Sequence, residues 1–254
     1  MERLEHLGSG VVNEPAISLS PTERPLVIGH RGAAGHAVEN SRAAFLKGLA
    51  LGADGVECDV RATLDGELVV FHDESLLRLA GLPERLNRLT LADIRKRVKV
   101  GESEEPILTL AELCAMPELQ DAWLFIELKE PRLEAAAVEI LQKSRDPRKT
   151  ILGSFQLETV RKLSEDGYPL PLLLAENFGA LSSPARISHA GLQFAAVDPL
   201  RVAELHRRGI KVWSWTVNET DDIQRVIASR VDGVVTDYPD RVIRELERIT
   251  RPLL

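Results

Sequence analysis

From Leu26 to Asp237 short apolar runs alternate with helix-like segments, and the alternation repeats about eight times. LVIGH, GVECDVRAT, WLFIELK, TILGSF, PLLLAEN, AAVD, KVWSWTVN and DGVVTD read as strands, each bounded by turn residues. SRAAFLKGLALG places Phe45, Leu46, Leu49 and Ala50 on one helical face, and PRLEAAAVEILQKS reads as a helix opened by Pro131. LETVRKLSED, PLRVAELHRRG, TDDIQRVIAS and DRVIRELERI supply further helices. Strands alternating with helices build parallel sheets, and eight such units close a barrel. An open doubly wound sheet would carry a Gly-rich fingerprint after its first strand, whereas Gly29, Gly32 and Gly35 here surround His30-Arg31. The expected fold is an α/β TIM-type (β/α)8 barrel.

One strand has an extra partner. GVECDVRAT and ELVVFHD, joined across Leu64, Asp65, Gly66 and Glu67, read as a hairpin with a Gly-containing turn. Residues 74–122 then depart from the alternation and are expected to form a rim insertion after the second barrel strand. Within it TLADIRKRV and TLAELCAM each open on a Thr N-cap, and Thr109 with Glu112 forms a capping box. Residues 1–24 are expected to be an extension packing on the barrel bottom, and 25–254 a single domain. The 254 residues suit one barrel, which typically takes about 250.

The formal net charge of −7 and a pI near 5.5, without a basic stripe, exclude nucleic acid as an expected partner. They also disfavour stable association with anionic membranes. No apolar stretch reaches the roughly 20 residues of a membrane span, and the first 20 residues lack the pattern of a secretion signal. A cytoplasmic protein is expected. Cys58 and Cys114 give neither a disulfide framework nor metal-finger spacing, and Cys58 reads as a core residue.

Charged residues gather at strand ends: His30-Arg31, Glu57 with Asp59, His72-Asp73, and Glu127 with Lys129. Residues two apart on a strand share a face, so Glu57 and Asp59 project together. Two carboxylates in a barrel mouth repel unless a cation sits between them. Glu127 would complete an all-oxygen site, suited to Mg²⁺ or Ca²⁺, with Mn²⁺ also accommodated, rather than to zinc. Two strand-end imidazoles, His30 and His72, beside such a cluster point to acid–base work, with their order open. Arg31 offers phosphate a bidentate fork and Lys129 a point charge. Together these groups suit phosphodiester cleavage.

The run HRGAAGHAVENSRAAF followed by GADGVECDVRATLDGELVVFHDESLLR resembles the glycerophosphodiester phosphodiesterase family, and IELK, GSF, WTVN and DGVVTDYP follow in that family's order. The resemblance implies a β/α barrel, a divalent cation, and hydrolysis of glycerophosphodiesters to glycerol 3-phosphate and an alcohol. On matching positions it makes His30 and His72 the acid–base pair, Glu57, Asp59 and Glu127 metal ligands, and Arg31, Lys129 and Trp215 substrate contacts. The chain departs from the family's usual residues at His36, Val38, Ser41 and Gly153, none of them in the expected metal or acid–base set.

Other residues carry blander expectations. Glu39-Asn40 reads either as a loop contact and an N-cap or as a direct ligand pair, and Asp237 either orients a rim loop or, the favoured reading, caps the closing helix. Asp73 either orients His72 or binds backbone amides. Trp213 reads as core, and His6, His189 and His206 as structural, with His189 in a loop. Three rival functions follow. A non-catalytic phosphate-binding barrel would lack one of the groups above. A Schiff-base aldolase would need Lys129 with a depressed pKa, which Glu127 opposes. A lysophospholipase D-like enzyme would need an apolar rim groove, which Leu76, Leu77, Leu79 and Leu82 could supply.

Overall fold

The structure, a computed structural model, describes residues 24–99, 105–182 and 187–250. His6 and the expected extension, apart from Arg24, lie outside them; Arg24 forms an ion pair with Asp54 at 2.7 Å. Eight strands run parallel: β1 (Leu26–Gly29), β2 (Gly55–Ala62), β4 (Trp123–Leu128), β5 (Thr150–Ser154), β6 (Pro171–Ala175), β7 (His189–Gln193), β8 (Lys211–Trp215) and β9 (Gly233–Thr236). Each pairs with the next, and β1 closes the ring, meeting β2 at Ile28–Gly55 and β9 from Leu26–Gly233 to Gly29–Thr236. The barrel is closed.

Strand alternation divides the core. Ile28, Phe125, Ile151, Leu172, Leu174, Trp213 and Val235 fill the interior. Their strand neighbours, such as Val27, Leu152, Val212 and Val234, face the helical layer. The outer helices are α1 (Arg42–Ala50), α5 (Glu134–Ser144), α6 (Leu157–Glu165), α7 (Pro199–Arg207), α8 (Thr220–Ala228) and α9 (Pro239–Thr250). Between β6 and β7 the described chain forms only a 3-10 turn, Phe178–Ser182.

Four local expectations are corrected. The seventh strand is HAGLQ, not AAVD, whose first residues lie in a 3-10 turn fixed by the Gln193 side chain accepting from the Ala195 N–H. His189 therefore opens a strand instead of lying in a loop. Helix α5 starts at Glu134, three residues beyond Pro131, because Arg132 adopts a left-handed φ of 71°. In α1 the buried residues are Ala44, Phe45 and Gly48, while Ala50 is exposed.

The hairpin partner β3 (Leu68–Val70) pairs antiparallel with β2, from Ala62–Leu68 to Val60–Val70. It lies outside the ring and runs back toward the mouth. Behind it, the insertion carries α2 (Leu77–Ala80), α3 (Leu91–Arg97) and α4 (Leu110–Cys114). Thr90 with Asp93 and Thr109 with Glu112 each close a complete capping box, contributing about 1 kcal/mol per helix start. Val69, Phe71, Leu76, Leu86, Ile94, Val98 and Ile107 form a satellite core under this segment. Leu76 is fully buried and Leu79 and Leu82 pack against that core, leaving only Leu77 of the four leucines substantially exposed. Those leucines hold the insertion together and form no rim groove.

Candidate active site

The C-terminal mouth of the barrel holds a cavity of about 250 Å³ bordered by His30, Arg31, Glu57, His72, Glu127, Lys129 and Trp215. Asp59 lies beneath them with no exposed surface. All eight residues singled out in the sequence thus meet in one cup.

Glu57 and Asp59, third and fifth in β2, point inward together; Glu127 sits beside Asp59 in register on β4. Single oxygens of the three carboxylates lie within 4.8 Å of one another. Two fixed cations answer them. Lys129 Nζ is 2.7 Å from Glu127 Oε1 and 3.4 Å from Asp59 Oδ1, and Arg31 Nε is 3.1 Å from Asp59 Oδ2. The Arg31 backbone N–H donates to Glu57 Oε2 at 2.9 Å. Burial and the neighbouring Asp59 charge push the Glu57 carboxyl up strongly, and the same two causes raise Glu127. For Asp59, burial raises the pKa, but Arg31, Lys129, His72 and the Asn40 amide outweigh it and hold it down. Asp59 Oδ1 is buried with no hydrogen-bond donor among the described residues. Three oxygen donors, a buried carboxylate oxygen without a hydrogen bond and a surplus of negative charge fit a hard divalent cation.

The two imidazoles approach from different elements. His30 follows β1, and its Nδ1 is 2.7 Å from Asp237 Oδ1 at the end of β9. His72 arrives on the returning strand β3, with its Nδ1 2.6 Å from Asp73 Oδ1. A carboxylate only accepts, so each Nδ1 carries the proton and each Nε2 is left for chemistry. Burial pulls the His30 pKa down, but the Asp237 hydrogen bond and the Glu57 charge outweigh it, for a net rise. Burial dominates at His72, where Arg31 and Lys129 add to it, and the net shift is downward despite Asp59 and Asp73.

Two smaller expectations are corrected here. Asp237 is no helix cap: it bridges His30 and the Asn218 amide, whose Nδ2 donates to Asp237 Oδ2 at 2.6 Å. Ser41, not Asn40, caps α1 by accepting from the Ala44 N–H. Asn40, at a left-handed φ of 56°, donates instead to Asp59 Oδ2 at 2.9 Å. Asp73 orients His72. Glu39 does more than hold its loop: it accepts from Arg31 and from Arg78 of α2, and Arg78 also donates to Asp73 Oδ2 at 2.6 Å. Strand-tip position flagged Asp237 and Asp73; Arg78 and Phe155 lie inside the family motifs but were given no role, and nothing local pointed to the mouth residue Glu176.

Glycines permit the close packing behind His30-Arg31. A Cβ on Gly29 would lie 1.8 Å from the Gly32 carbonyl oxygen, and one on Gly32, at φ 93°, would meet the α1 backbone at 2.4 Å. Only glycine fits there.

A closed parallel barrel carrying three clustered carboxylates and two carboxylate-held imidazoles at its C-terminal mouth has the donor set of a metal-assisted hydrolase. The family profile described as the glycerophosphoryl diester phosphodiesterase family matches residues 30–241. The chain belongs to that family. It is 31% identical over 239 residues to a glycerophosphodiester phosphodiesterase of Caldanaerobacter subterraneus, covering 87% of this chain and 97% of that one. A Bacillus subtilis glycerophosphodiester phosphodiesterase is 28% identical over 253 residues, 87% and 86% of the two chains. The crystal structure of the Thermotoga maritima glycerophosphodiester phosphodiesterase superposes with a TM-score of 0.75 at 27% identity, covering 87% of this chain and 98% of that one. An Oleispira antarctica phosphodiesterase in complex with sn-glycerol 3-phosphate shares the fold, with a TM-score of 0.80 at 23% identity over 89% and 98% of the chains.

Proposed function

We propose that this protein hydrolyses glycerophosphodiesters to glycerol 3-phosphate and an alcohol, with a divalent cation held by Glu57, Asp59 and Glu127. The observation that carries it is the meeting of three carboxylates, two imidazoles and two fixed cations in one cup. Family membership and the relatives' names support the activity, and the glycerol 3-phosphate bound to the Oleispira phosphodiesterase supports the product. The oxygen ligands favour Mg²⁺, Ca²⁺ or Mn²⁺. When bound, the cation supplies Lewis-acid stabilisation of negative charge on phosphate.

The chain's own residues perform the rest. Arg31 and Lys129 meet the phosphate oxygens, Arg31 through two N–H groups and Lys129 as a point charge. One imidazole, neutral, takes the proton from the attacking hydroxyl at Nε2, and the other, starting as the imidazolium, delivers its Nε2 proton to the leaving alkoxide. Asp237 and Asp73 hold the two rings in the required tautomer. The attacking hydroxyl is either the adjacent one of glycerol, through a cyclic phosphate, or water. Running the hydrolysis in ¹⁸O-water and searching for the transient cyclic phosphate separates the routes. Trp215 forms the far wall. The buried, unpaired Cys58 and Cys114 agree with a reducing, cytoplasmic setting. Among the described residues no helix is long and apolar enough to cross a membrane.

Of the rivals, the aldolase conflicts with Lys129: burial lowers its pKa, but Asp59 and Glu127 outweigh that and raise it. Against the lipid diesterase, Leu76, Leu79 and Leu82, offered for its groove, are taken up in the satellite core. A hydrolysis panel of glycerophosphocholine, glycerophosphoethanolamine and glycerophosphoglycerol, with and without chelator, tests the proposal. Glycerol 3-phosphate should appear only where divalent cation is free. No release from any diester, in any cation, would refute it.

A further inference from the structure

The mouth residues contributed by β5, β6 and β8 differ in kind from the catalytic set. Phe155 follows β5, Glu176 follows the adjacent β6, and Trp215 ends β8; all three border the same cavity as His30 and Lys129. Phe155 is 43% exposed, an unusual placement for a phenyl ring, and it stands edge-on to Trp215 with centroids 5.2 Å apart. Both rings border the cavity, and the exposed Phe155 offers π-surface to whatever enters. The Trp215 indole N–H is buried and has no hydrogen-bond partner among the described residues.

Glu176 is exceptional in charge. Glu57, Glu127, Arg31, Lys129, His30 and His72 each have an oppositely charged partner within 4.0 Å. Glu176, exposed on the rim, has no hydrogen bond or ion pair to any described residue. A free carboxylate bordering the same small cavity as two aromatic rings makes a receptor for an organic cation: a ring attracts it through its π-face and the carboxylate through charge. Resting on the hydrolase reading above, we propose that Phe155, Trp215 and Glu176 form a subsite for a cationic amino alcohol, so that diesters of choline and ethanolamine are preferred over uncharged or anionic ones. The ammonium of either alcohol lies two carbons from the scissile ester oxygen. A phosphate held by Arg31 and Lys129 thus places it within the same small cavity. The net charge of −7 acts in the same direction, discouraging diesters with an anionic head.

The test measures kcat/KM for glycerophosphocholine, glycerophosphoethanolamine and glycerophosphoglycerol in the full chain with saturating Mg²⁺, and follows the choline-to-glycerol ratio in Glu176→Gln and Phe155→Leu. Both positions are exposed enough for the variants to fold, which a thermal melt verifies. The native ratio should exceed one. It should fall about fivefold to tenfold in Glu176→Gln, and severalfold in Phe155→Leu, with the glycerophosphoethanolamine ratio following in the former. A native preference for glycerophosphoglycerol, or an unchanged ratio in either variant, overturns the subsite even though the enzyme is active. A native chain inactive on all three diesters instead overturns the hydrolase reading, and the subsite with it.

Discussion

Glu57 is held in a place that suits a carboxylate only when a cation is near: it is almost wholly buried, two positions from Asp59 on one strand. Replacing it with Gln keeps the acceptor for the Arg31 N–H and removes a buried like charge. In chelator, Glu57→Gln should therefore melt above the native protein, while calorimetry finds divalent-cation affinity weakened at least tenfold and turnover lost. A lower melting temperature in chelator would mean that the carboxylate is not strained there. His30→Ala and His72→Ala should lower kcat by about 10²–10⁴-fold with cation affinity largely kept. Asp237→Asn should reproduce part of the His30 loss, since an amide can present its N–H to Nδ1 and favour the wrong tautomer. The Asp237 role was hard to read from the chain because 207 residues separate it from its imidazole and an acidic residue before a helix is ordinarily a cap. Glu57 and Asp59, by contrast, were legible as a pair from period-two spacing, and Glu127 joined them through its strand-end position and the family resemblance.

Elements differ in how much of them local pattern determines. β2 is buried almost throughout and β4 carries the buried apolar run Leu124–Ile126, so both were evident. β7 was not, because its interior position is Gly191, where a Cβ would lie 2.7 Å from Leu174 Cδ2. Interior packing demands a residue that weakens strand propensity, and neighbouring AAVD looked more apolar. For β3 the hairpin, and with it the direction, was evident; that it stands outside the closed ring was not. Helix α2 contributes through one side chain. Arg78 is half exposed, so Arg78→Ala should change stability by less than about 1 kcal/mol. It should nevertheless lower kcat about tenfold, because Asp73 and Glu39 lose the guanidinium that fixes them beside His72 and Arg31. Thermal melts and steady-state kinetics on the same preparation check both halves. Arg78 also matters to acid stability. Its hydrogen bond, with that of His72, lowers the Asp73 pKa to about 2. A depressed carboxylate stabilises above its unfolded value and loses that contribution as pH falls toward 2.

The whole molecule titrates at its other end too. At the barrel bottom His189 is buried against Trp213, with Asp232 and Lys211 nearby; burial, aided by Lys211, lowers its pKa to about 4 despite the Asp232 charge. Between pH 6.5 and 4 the unfolded chain binds a proton that the folded barrel refuses. Stability should therefore rise with pH across that window and level off above it. Urea unfolding at pH 4.5 and 7 should differ less in His189→Gln than in the native chain; an equal difference would place the titration elsewhere. The ring itself closes through β1 and β2, at Ile28–Gly55 and Gly29–Val56, without any contribution from β3. One imidazole is thus built into the cylinder wall while the other hangs from a detachable arm. A homologous arm spliced in between Ala62 and Trp123 should leave the staves of the cylinder joined while retuning the proton donor or acceptor it delivers.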